Sequence, residues 1–340
     1  MTVARVAVPW AIVTVVPLTE RHPVVPAARL VGDLVVPRHF AAATFDTYLP
    51  DPDHPSQAAA LDLVRSASEA LVAPRRRFAR RAAPPPALYL DGGFGVGKTH
   101  LLAAAAHTVG EVAAYGTFVE YTHLVGALGF GATVTALARH RLVGIDEFEL
   151  DDPGDTLLMS RLLRELTDRG VAVMATSNTL PERLGEGRFA ADDFLREIQA
   201  LAARFTVVRI DGPDYRHRHQ VTAPPRTDAA VRDALAATPG AQVVDHGALL
   251  AHLGRIHPSR YRALLDGVRA LGVTGVGPVP DQDAALRLVV LVDRLYDADV
   301  PVHLGGDAAE LFDEAMLHGG YRKKYLRALS RLSELTAPAG

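Results

Sequence analysis

The chain has 340 residues, which is enough for a sizeable core and more typical of two domains than of one. Its hydrophobic content of 49% indicates an ordered globular protein, and its formal net charge of −3 gives no electrostatic basis for bulk nucleic-acid binding. The absence of cysteine excludes disulfides, thiol catalysis and thiolate metal sites.

Residues 1–45 are predicted to form an N-terminal extension that is rich in valine and proline and carries no recognisable motif. An apolar run at residues 6–18 could be a signal peptide, but Pro9 and Pro17 interrupt it and no clear cleavage site follows. The run is also too short for a membrane span of about 20 residues. We therefore expect a strand or a loosely attached extension, in a cytoplasmic protein.

Residues 46–222 are predicted to form the core domain. Its first helix is expected at residues 55–72, with Ser56 as the N-cap. An arginine-rich stretch and a proline run follow at residues 75–86, and they are typical of a solvated linker.

A glycine-rich motif of the form G-x-x-x-x-G-K-T spans residues 92–99, between an apolar run at 87–91 and strong helix formers at 101–106. Glycines let main-chain N–H groups approach phosphates, and the helix N-terminus adds a positive dipole end. Lys98 can then reach the β- and γ-phosphates of ATP, while the Thr99 hydroxyl can bind Mg²⁺. The predicted nucleotide contacts are the loop residues and the one that follows: Gly92, Gly93, Phe94, Gly95, Val96, Gly97, Lys98, Thr99 and His100.

Strands and helices alternate through the rest of the core. Further strands are predicted at 117–121, 141–145, 171–176 and 206–210, with helices at 157–169 and 194–203. This alternation predicts an α/β fold of the P-loop NTPase (AAA+-like) type, a parallel sheet with helices on both faces that binds ligands at the carboxyl ends of its strands.

A second domain is predicted after the proline pair at residues 224–225, and we assign residues 223–340 to it. It should be mainly helical, with a short strand at 300–304 and helices at 228–237, 246–253, 258–271, 283–296 and 308–334.

Two acids end the strand at 141–145. Asp146 is expected to hold Mg²⁺ together with Thr99, and Glu147 to orient and polarise the attacking water. Asn178 follows the next strand, where its amide can hydrogen-bond the γ-phosphate or that water. The alternative for Asn178 is an ordinary turn residue.

Charge that develops on the γ-phosphate calls for arginines, often from a neighbouring subunit. Arg188, Arg196 and Arg204 lie between the fourth and fifth predicted strands, where such a residue is expected. In the basic last helix, Arg327 and Arg331 are four residues apart and so share a face from which they could reach back to the nucleotide. The remaining charge of that helix is expected to form a solvated face.

These motifs resemble the ZapE family of AAA+ ATPases, which includes bacterial cell-division proteins and mitochondrial lactation-elevated-type ATPases. The resemblance covers roughly residues 55–335 and rests on the segments 92–99, 146–148, 175–178, 211–216, 291–296 and 329–332. It implies an Mg²⁺-dependent ATPase that is a homo-oligomer when ATP-bound. It also implies action on polymers of the tubulin-like division protein, with at most peripheral membrane association. The net charge, for its part, leads us to expect no nucleic-acid partner.

The resemblance also implies individual roles. Gln57 matches a glutamine that contacts the adenine in the family, and Arg331 belongs to the motif at 329–332. The family's arginine position falls near Ala190 and Ala191 in this chain, which leaves Arg188 or Arg196 as the expected substitute.

We therefore expect an oligomeric ATPase that regulates or remodels a protein partner in bacterial cell division. The alternative is a DNA-associated helicase loader or transposition helper, which the acidic balance argues against. A small-molecule kinase and a nucleotide-gated scaffold without hydrolysis are further alternatives.

Overall fold

The computed structural model describes residues 16–73, 86–93, 95–148, 153–180, 199–200, 202–213 and 226–336. Five strands form a wholly parallel sheet in the order β2-β3-β4-β1-β5. They are β1 Ala87–Gly92, β2 Ala113–Thr117, β3 Leu142–Asp146, β4 Ala172–Ser177 and β5 Thr206–Ile210. The register pairs Asp91 with Ser177 and Ile145 with Ala175, so the carboxyl ends of β1, β3 and β4 lie side by side.

Helices cover both faces of this sheet, as predicted. The helices of this half are α1 Ala27–Gly32, α2 Pro55–Val72, α3 Lys98–Val109, α4 Phe118–Leu128, α5 Phe130–Leu137 and α6 Pro153–Asp168. Successive residues of β1 belong to opposite cores, because side chains alternate along a strand. Tyr89 packs with α4, α5 and α6, whereas Leu88 and Leu90 pack with α2 and α3.

The strand predicted at residues 117–121 is wrong. The strand β2 ends at Thr117 and α4 begins at Phe118. The Glu120 N–H donates to the Thr117 hydroxyl at 3.3 Å and the Thr117 N–H donates to the Glu120 carboxylate at 2.8 Å, which is a capping box. This local pairing outweighs the strand preference of the aromatic and β-branched residues that follow.

Ser56 is not the N-cap of α2. The helix begins at Pro55 with His54 as its N-cap, and Ser56 lies in the first turn. Its hydroxyl instead accepts a hydrogen bond from the Asp211 N–H at 2.9 Å and so connects α2 to the end of β5.

The C-terminal half is mainly helical, as predicted, but it also contains a small parallel sheet. Its helices are α7 Asp228–Leu235, α8 His246–Leu253, α9 Tyr261–Leu264, α10 Gln282–Asp297, α11 Glu314–His318 and α12 Arg322–Thr336. The strands β6 Ala241–Asp245, β7 Ala270–Thr274 and β8 Val302–Leu304 lie in that order. The strand β8 confirms the short strand expected at 300–304, while β6 and β7 were not predicted.

Two predicted helices of this half are too long. The helix expected at 258–271 ends at Leu264, and Gly267, whose φ of +74° few other residues tolerate, turns the chain into β7. The helix expected at 308–334 is divided by Gly319, an extended residue between α11 and α12.

The described part of the N-terminal segment contacts both halves of the molecule. The Leu18 N–H donates to the Gln242 side chain at 3.0 Å, and the Leu34 carbonyl accepts from the Tyr115 N–H of β2 at 2.9 Å. The domain division at residues 45 and 222 stays a prediction. In the part of the chain that the structure describes, no helix has both the length and the apolarity required to cross a bilayer.

A histidine pair joins the two halves and should make stability depend on pH. The His123 ring of α4 meets the His257 ring edge to face, with centroids 5.6 Å apart. Burial, and then the neighbouring His257, lowers the pKa of His123 to about 4. This pKa lies below the ordinary value near 6.5. Packing of the neutral His123 ring therefore contributes to the free energy of unfolding above pH 6.5, and this contribution is lost as the pH falls toward 4.

We therefore expect the wild-type free energy of unfolding to fall between pH 7 and pH 4.5 by about 2 kcal/mol more than that of His123→Gln. Urea denaturation of both proteins across this range measures the difference. Parallel curves for the two proteins would contradict a pKa of His123 that burial lowers.

Candidate functional site

The glycine-rich loop leads from the end of β1 into α3 and requires glycine at two positions. A Cβ at Gly92 would lie 2.2 Å from the Ile210 carbonyl oxygen. At Gly97, φ is +88° and a Cβ would lie 2.4 Å from the Tyr48 ring. The Tyr48 hydroxyl also donates to the Val96 carbonyl at 3.0 Å, so the stretch that precedes α2 supports the loop from outside.

Lys98, the first residue of α3, connects this loop to Asn178. Its ammonium group donates to the Gly92 carbonyl at 2.8 Å, to the Gly93 carbonyl, and to the Asn178 side-chain oxygen at 2.8 Å. The structure thus brings Lys98 and Asn178 together, although 80 residues separate them.

Asp146 lies next to this loop at the end of β3 and is buried. One of its carboxylate oxygens accepts from the Thr99 hydroxyl at 3.1 Å and from the Thr176 hydroxyl. The other oxygen accepts from the Tyr115 hydroxyl at 2.9 Å. Burial, and then the Asp146 charge, raises the pKa of Tyr115 far above its usual range, so this phenol stays a donor.

Thr99 and Asp146 fit Mg²⁺. They present a hydroxyl and a carboxylate within hydrogen-bond distance of each other, and Mg²⁺ is commonly held by one or two carboxylates together with substrate phosphates. Among the described residues, no cluster of three or more metal-binding side chains offers a complete protein cage for a metal ion. The donor set is therefore of the kind that a phosphate ligand completes.

Glu147 occupies a left-handed turn with a φ of +54°, which is uncommon for a residue with a side chain. Thr176 holds this turn, because its hydroxyl accepts from the Glu147 N–H at 3.0 Å and its carbonyl accepts from the Phe148 N–H at 2.7 Å. Left-handed residues other than glycine are common at functional sites. Here the turn directs the Glu147 carboxylate toward the second half of the protein.

Two arginines of α12 contact the Glu147 carboxylate. Its Oε2 lies 2.7 Å from Nη1 of Arg327, and its Oε1 lies 3.0 Å from Nη2 of Arg331. Both guanidinium groups also contact Asp293 of α10. The sequence placed Arg327 and Arg331 on one helix face, but it gave no sign of their shared partner, Asp293.

One cavity of about 190 Å³ lies between the glycine-rich loop, Asp146, Glu147 and Arg327. Its lining combines the loop, the carboxyl ends of β3 and β4, and α12. It includes Gly95, Gly97, Lys98, Thr99, His100, Asp146, Glu147, Asn178, Lys323 and Arg327. A second cavity of about 470 Å³ shares part of this lining and adds Tyr115, Tyr296 and Arg331. The first cavity combines cationic and polar donors with two acids, which suits a metal-bound polyphosphate.

Gln57 is buried beside the loop, with both ends of its amide bound to main chain. Its oxygen accepts from the Asp51 N–H and its nitrogen donates to the Asp211 carbonyl, both at 2.9 Å. It thus connects the start of α2 to the residues after β5, and its contact with adenine stays a prediction. His100, another cavity residue, hydrogen-bonds to the Thr44 carbonyl at 2.9 Å.

Among the arginines predicted between the fourth and fifth strands, Arg204 is described, and it does not belong to the described lining of this cavity. Arg204 contacts the Thr167 hydroxyl at 3.1 Å at the C-terminal end of α6. Phe94, Arg188 and Arg196 lie outside the described residues. Sequence reasoning gave no role to Tyr115, Thr176 or Asp293, although Thr176 and Asp293 lie in the segments 175–178 and 291–296 that carry the family resemblance.

Comparison with known proteins finds individual relatives that match part of this chain and a family model that matches most of it. An uncharacterized protein of Schizosaccharomyces pombe, C115.02c, is 28% identical over an alignment 171 residues long, which covers 42% of this chain and 38% of that protein. Cell division protein ZapE of Escherichia coli K12 is 36% identical over 74 residues, which are 22% of this chain and 20% of ZapE. The chain therefore matches less than half the length of each relative.

Solved structures that are similar to part of this chain include those of DnaI and DnaA. The crystal structure of DnaI gives a TM-score of 0.41 at 17% identity, over 54% of this chain and 98% of DnaI. AMPPCP-bound DnaA from Aquifex aeolicus gives 0.38 at 16% identity, over 58% of this chain and 55% of that one.

The sequence model of the AFG1-like ATPase family matches residues 24–236 and 221–339, which together include both halves of the molecule. The parallel sheet, with its glycine-rich loop between β1 and α3, confirms the expected P-loop NTPase fold. By this match, the protein belongs to the AFG1-like ATPase family.

Proposed function

We propose that this protein is an Mg²⁺-dependent ATPase that couples hydrolysis to the regulation or remodelling of a protein partner. The observation that carries the proposal is the single cavity in which Lys98, Thr99, Asp146, Glu147 and Asn178 meet. These residues come from the phosphate loop and the ends of β3 and β4, and membership of the family supports the same activity.

Each side chain has a distinct task in this proposal. Main-chain N–H groups of the loop and the Lys98 ammonium bind the β- and γ-phosphates, so Lys98 exchanges its carbonyl partners for phosphate oxygens. Thr99 and Asp146 hold Mg²⁺, which neutralises phosphate charge when bound. Glu147 accepts a hydrogen bond from the attacking water and orients it. Asn178 donates to the γ-phosphate or to that water.

For the partner, we propose a polymer of the tubulin-like division protein in the bacterial cytoplasm, with the ATP-bound chain acting as a homo-oligomer. The partial match to a relative named for cell division supports this choice. The formal net charge of −3 favours a protein partner over a nucleic acid.

ATP hydrolysis by the purified chain, alone, with polymerised division protein and with single-stranded DNA, tests this proposal. We expect basal hydrolysis that rises with the polymer and not with DNA. Stimulation by DNA alone would instead support a helicase-loader role. No hydrolysis under any of these conditions would reject the enzyme.

A further inference from the structure

Four charged side chains alternate at the junction between the two halves of the protein: Glu147, Arg327, Asp293 and Arg331. We call them the arginine–carboxylate cluster. Arg327 uses Nη1 for Glu147 at 2.7 Å and Nη2 for Asp293 at 3.1 Å. Arg331 uses Nη2 for Glu147 at 3.0 Å and Nη1 for Asp293. Each guanidinium therefore bridges the same two carboxylates.

Asp293 is the more buried of these two acids, with 9% of its side chain exposed against 22% for Glu147. Burial alone would raise the pKa of Asp293, but the guanidinium groups of Arg331 and Arg327 outweigh it and hold that pKa below its ordinary value. Asp293 is thus an ionised and buried partner for both arginines.

The position of Asp293 separates it from the cavity. Arg327 and Glu147 line the 190 Å³ cavity, whereas Asp293 lies behind the arginines on α10, outside the described lining of both cavities. It therefore cannot touch the phosphates itself, and any effect on the reaction must pass through Arg327 and Arg331.

We propose that Asp293 is a positioning residue that directs two guanidinium groups toward Glu147 and the phosphate site: that of Arg327, which lines the 190 Å³ cavity, and that of Arg331, which lines the adjoining 470 Å³ cavity. This inference rests on the proposed ATPase function. With Asp293 holding one side of each guanidinium, the opposite side faces Glu147 and is available to the terminal phosphate when ATP is bound. Asp293 keeps both arginines in place while they exchange Glu147 for phosphate.

Removing the charge of Asp293 should lower the rate of ATP hydrolysis more than it lowers the stability of the fold. The helices α10 and α12 also pack through buried apolar residues, among them Leu291, Leu295, Ala328 and Leu332, which belong to one core. Of the two carboxylates that contact both arginines, only Glu147 would remain charged. Both guanidinium groups would then hold the acid that must orient water, which should slow turnover while the loop still binds nucleotide.

The test measures kcat and KM for Mg-ATP, and Kd for a fluorescent ATP analogue, in Asp293→Asn and Asp293→Glu. We expect kcat of Asp293→Asn to fall roughly tenfold or more while Kd changes less than about threefold, because an interaction specific to the transition state is lost. Asp293→Glu restores the charge and should recover a substantial part of kcat. Asp283→Asn, on the same helix with 76% of its side chain exposed, is the matched control and should behave as wild type.

A double-variant cycle separates positioning from a structural role and guards against misfolding. Asp293→Asn with Arg331→Gln removes one charge of each sign, and its loss of kcat should be smaller than the product of the two single losses, because part of the Asp293 effect passes through Arg331. Multiplied losses in the double variant, wild-type kcat in Asp293→Asn, or no recovery in Asp293→Glu would overturn the inference. An inactive wild type that still binds nucleotide would instead reject the proposed ATPase.

Discussion

Replacing Glu147 by glutamine is expected to leave ATP binding intact and to reduce turnover by about 10²-fold or more, as loss of a general base does. Glutamine keeps the size of the side chain, and the loop contacts of Lys98 are unchanged. It lacks the charge needed to polarise water. The measurement is steady-state phosphate release together with binding of a fluorescent ATP analogue.

Glu165→Gln is the control for this experiment. Glu165 lies on α6, pairs with Arg169 just after that helix, and is not part of the described cavity lining. It should release phosphate at the wild-type rate. Unchanged turnover in Glu147→Gln would refute the role given to Glu147.

Replacing Lys98 by alanine should weaken nucleotide binding itself, whereas the Glu147 variant should keep binding and lose turnover. The ammonium group lies within hydrogen-bond distance of the two loop carbonyls and Asn178, where a phosphate oxygen would replace them. Loss of charge-assisted bonds to two phosphates should weaken Kd by about a hundredfold, or roughly 3 kcal/mol.

Lys324→Ala provides the matched control for Lys98, because Lys324 is on α12 with its ammonium group 5.3 Å from the Tyr321 ring centroid and does not belong to the described cavity lining. Its Kd should remain within about twofold of wild type. Tight nucleotide binding by Lys98→Ala would place the phosphates elsewhere.

The sheet and the phosphate loop could be predicted because their signals are local. The apolar run of β1, the glycines and the helix formers of α3 follow each other directly, and Asp146 ends a buried strand. The strand at 117–121 failed for a local reason too, because the capping box of Thr117 and Glu120 starts a helix among residues that favour strands.

The sequence pattern that indicates the small C-terminal sheet is weaker. All five residues of β7 are buried, and a short apolar run of this kind cannot be told from a helix by its periodicity. The turn at Gly267 decides the matter, but one glycine inside a helical pattern is not decisive in sequence.

The arginine–carboxylate cluster could be predicted only in part. Two arginines four residues apart must share a helix face, so the proximity of Arg327 and Arg331 follows from helix geometry. Their contact with Glu147 depends on how α12 packs against the sheet, since 184 residues separate Arg331 from Glu147. Asp293 lies within an apolar helix pattern, and nothing in that pattern indicates a buried charge.

Phosphate release from ATP by the purified 340-residue chain, with Mg²⁺ and after its chelation, tests the central claim most directly. We predict steady release that stops when Mg²⁺ is removed, because Thr99 and Asp146 hold the ion beside the phosphates. Nucleotide binding without phosphate release, or release that persists after chelation, would contradict the account.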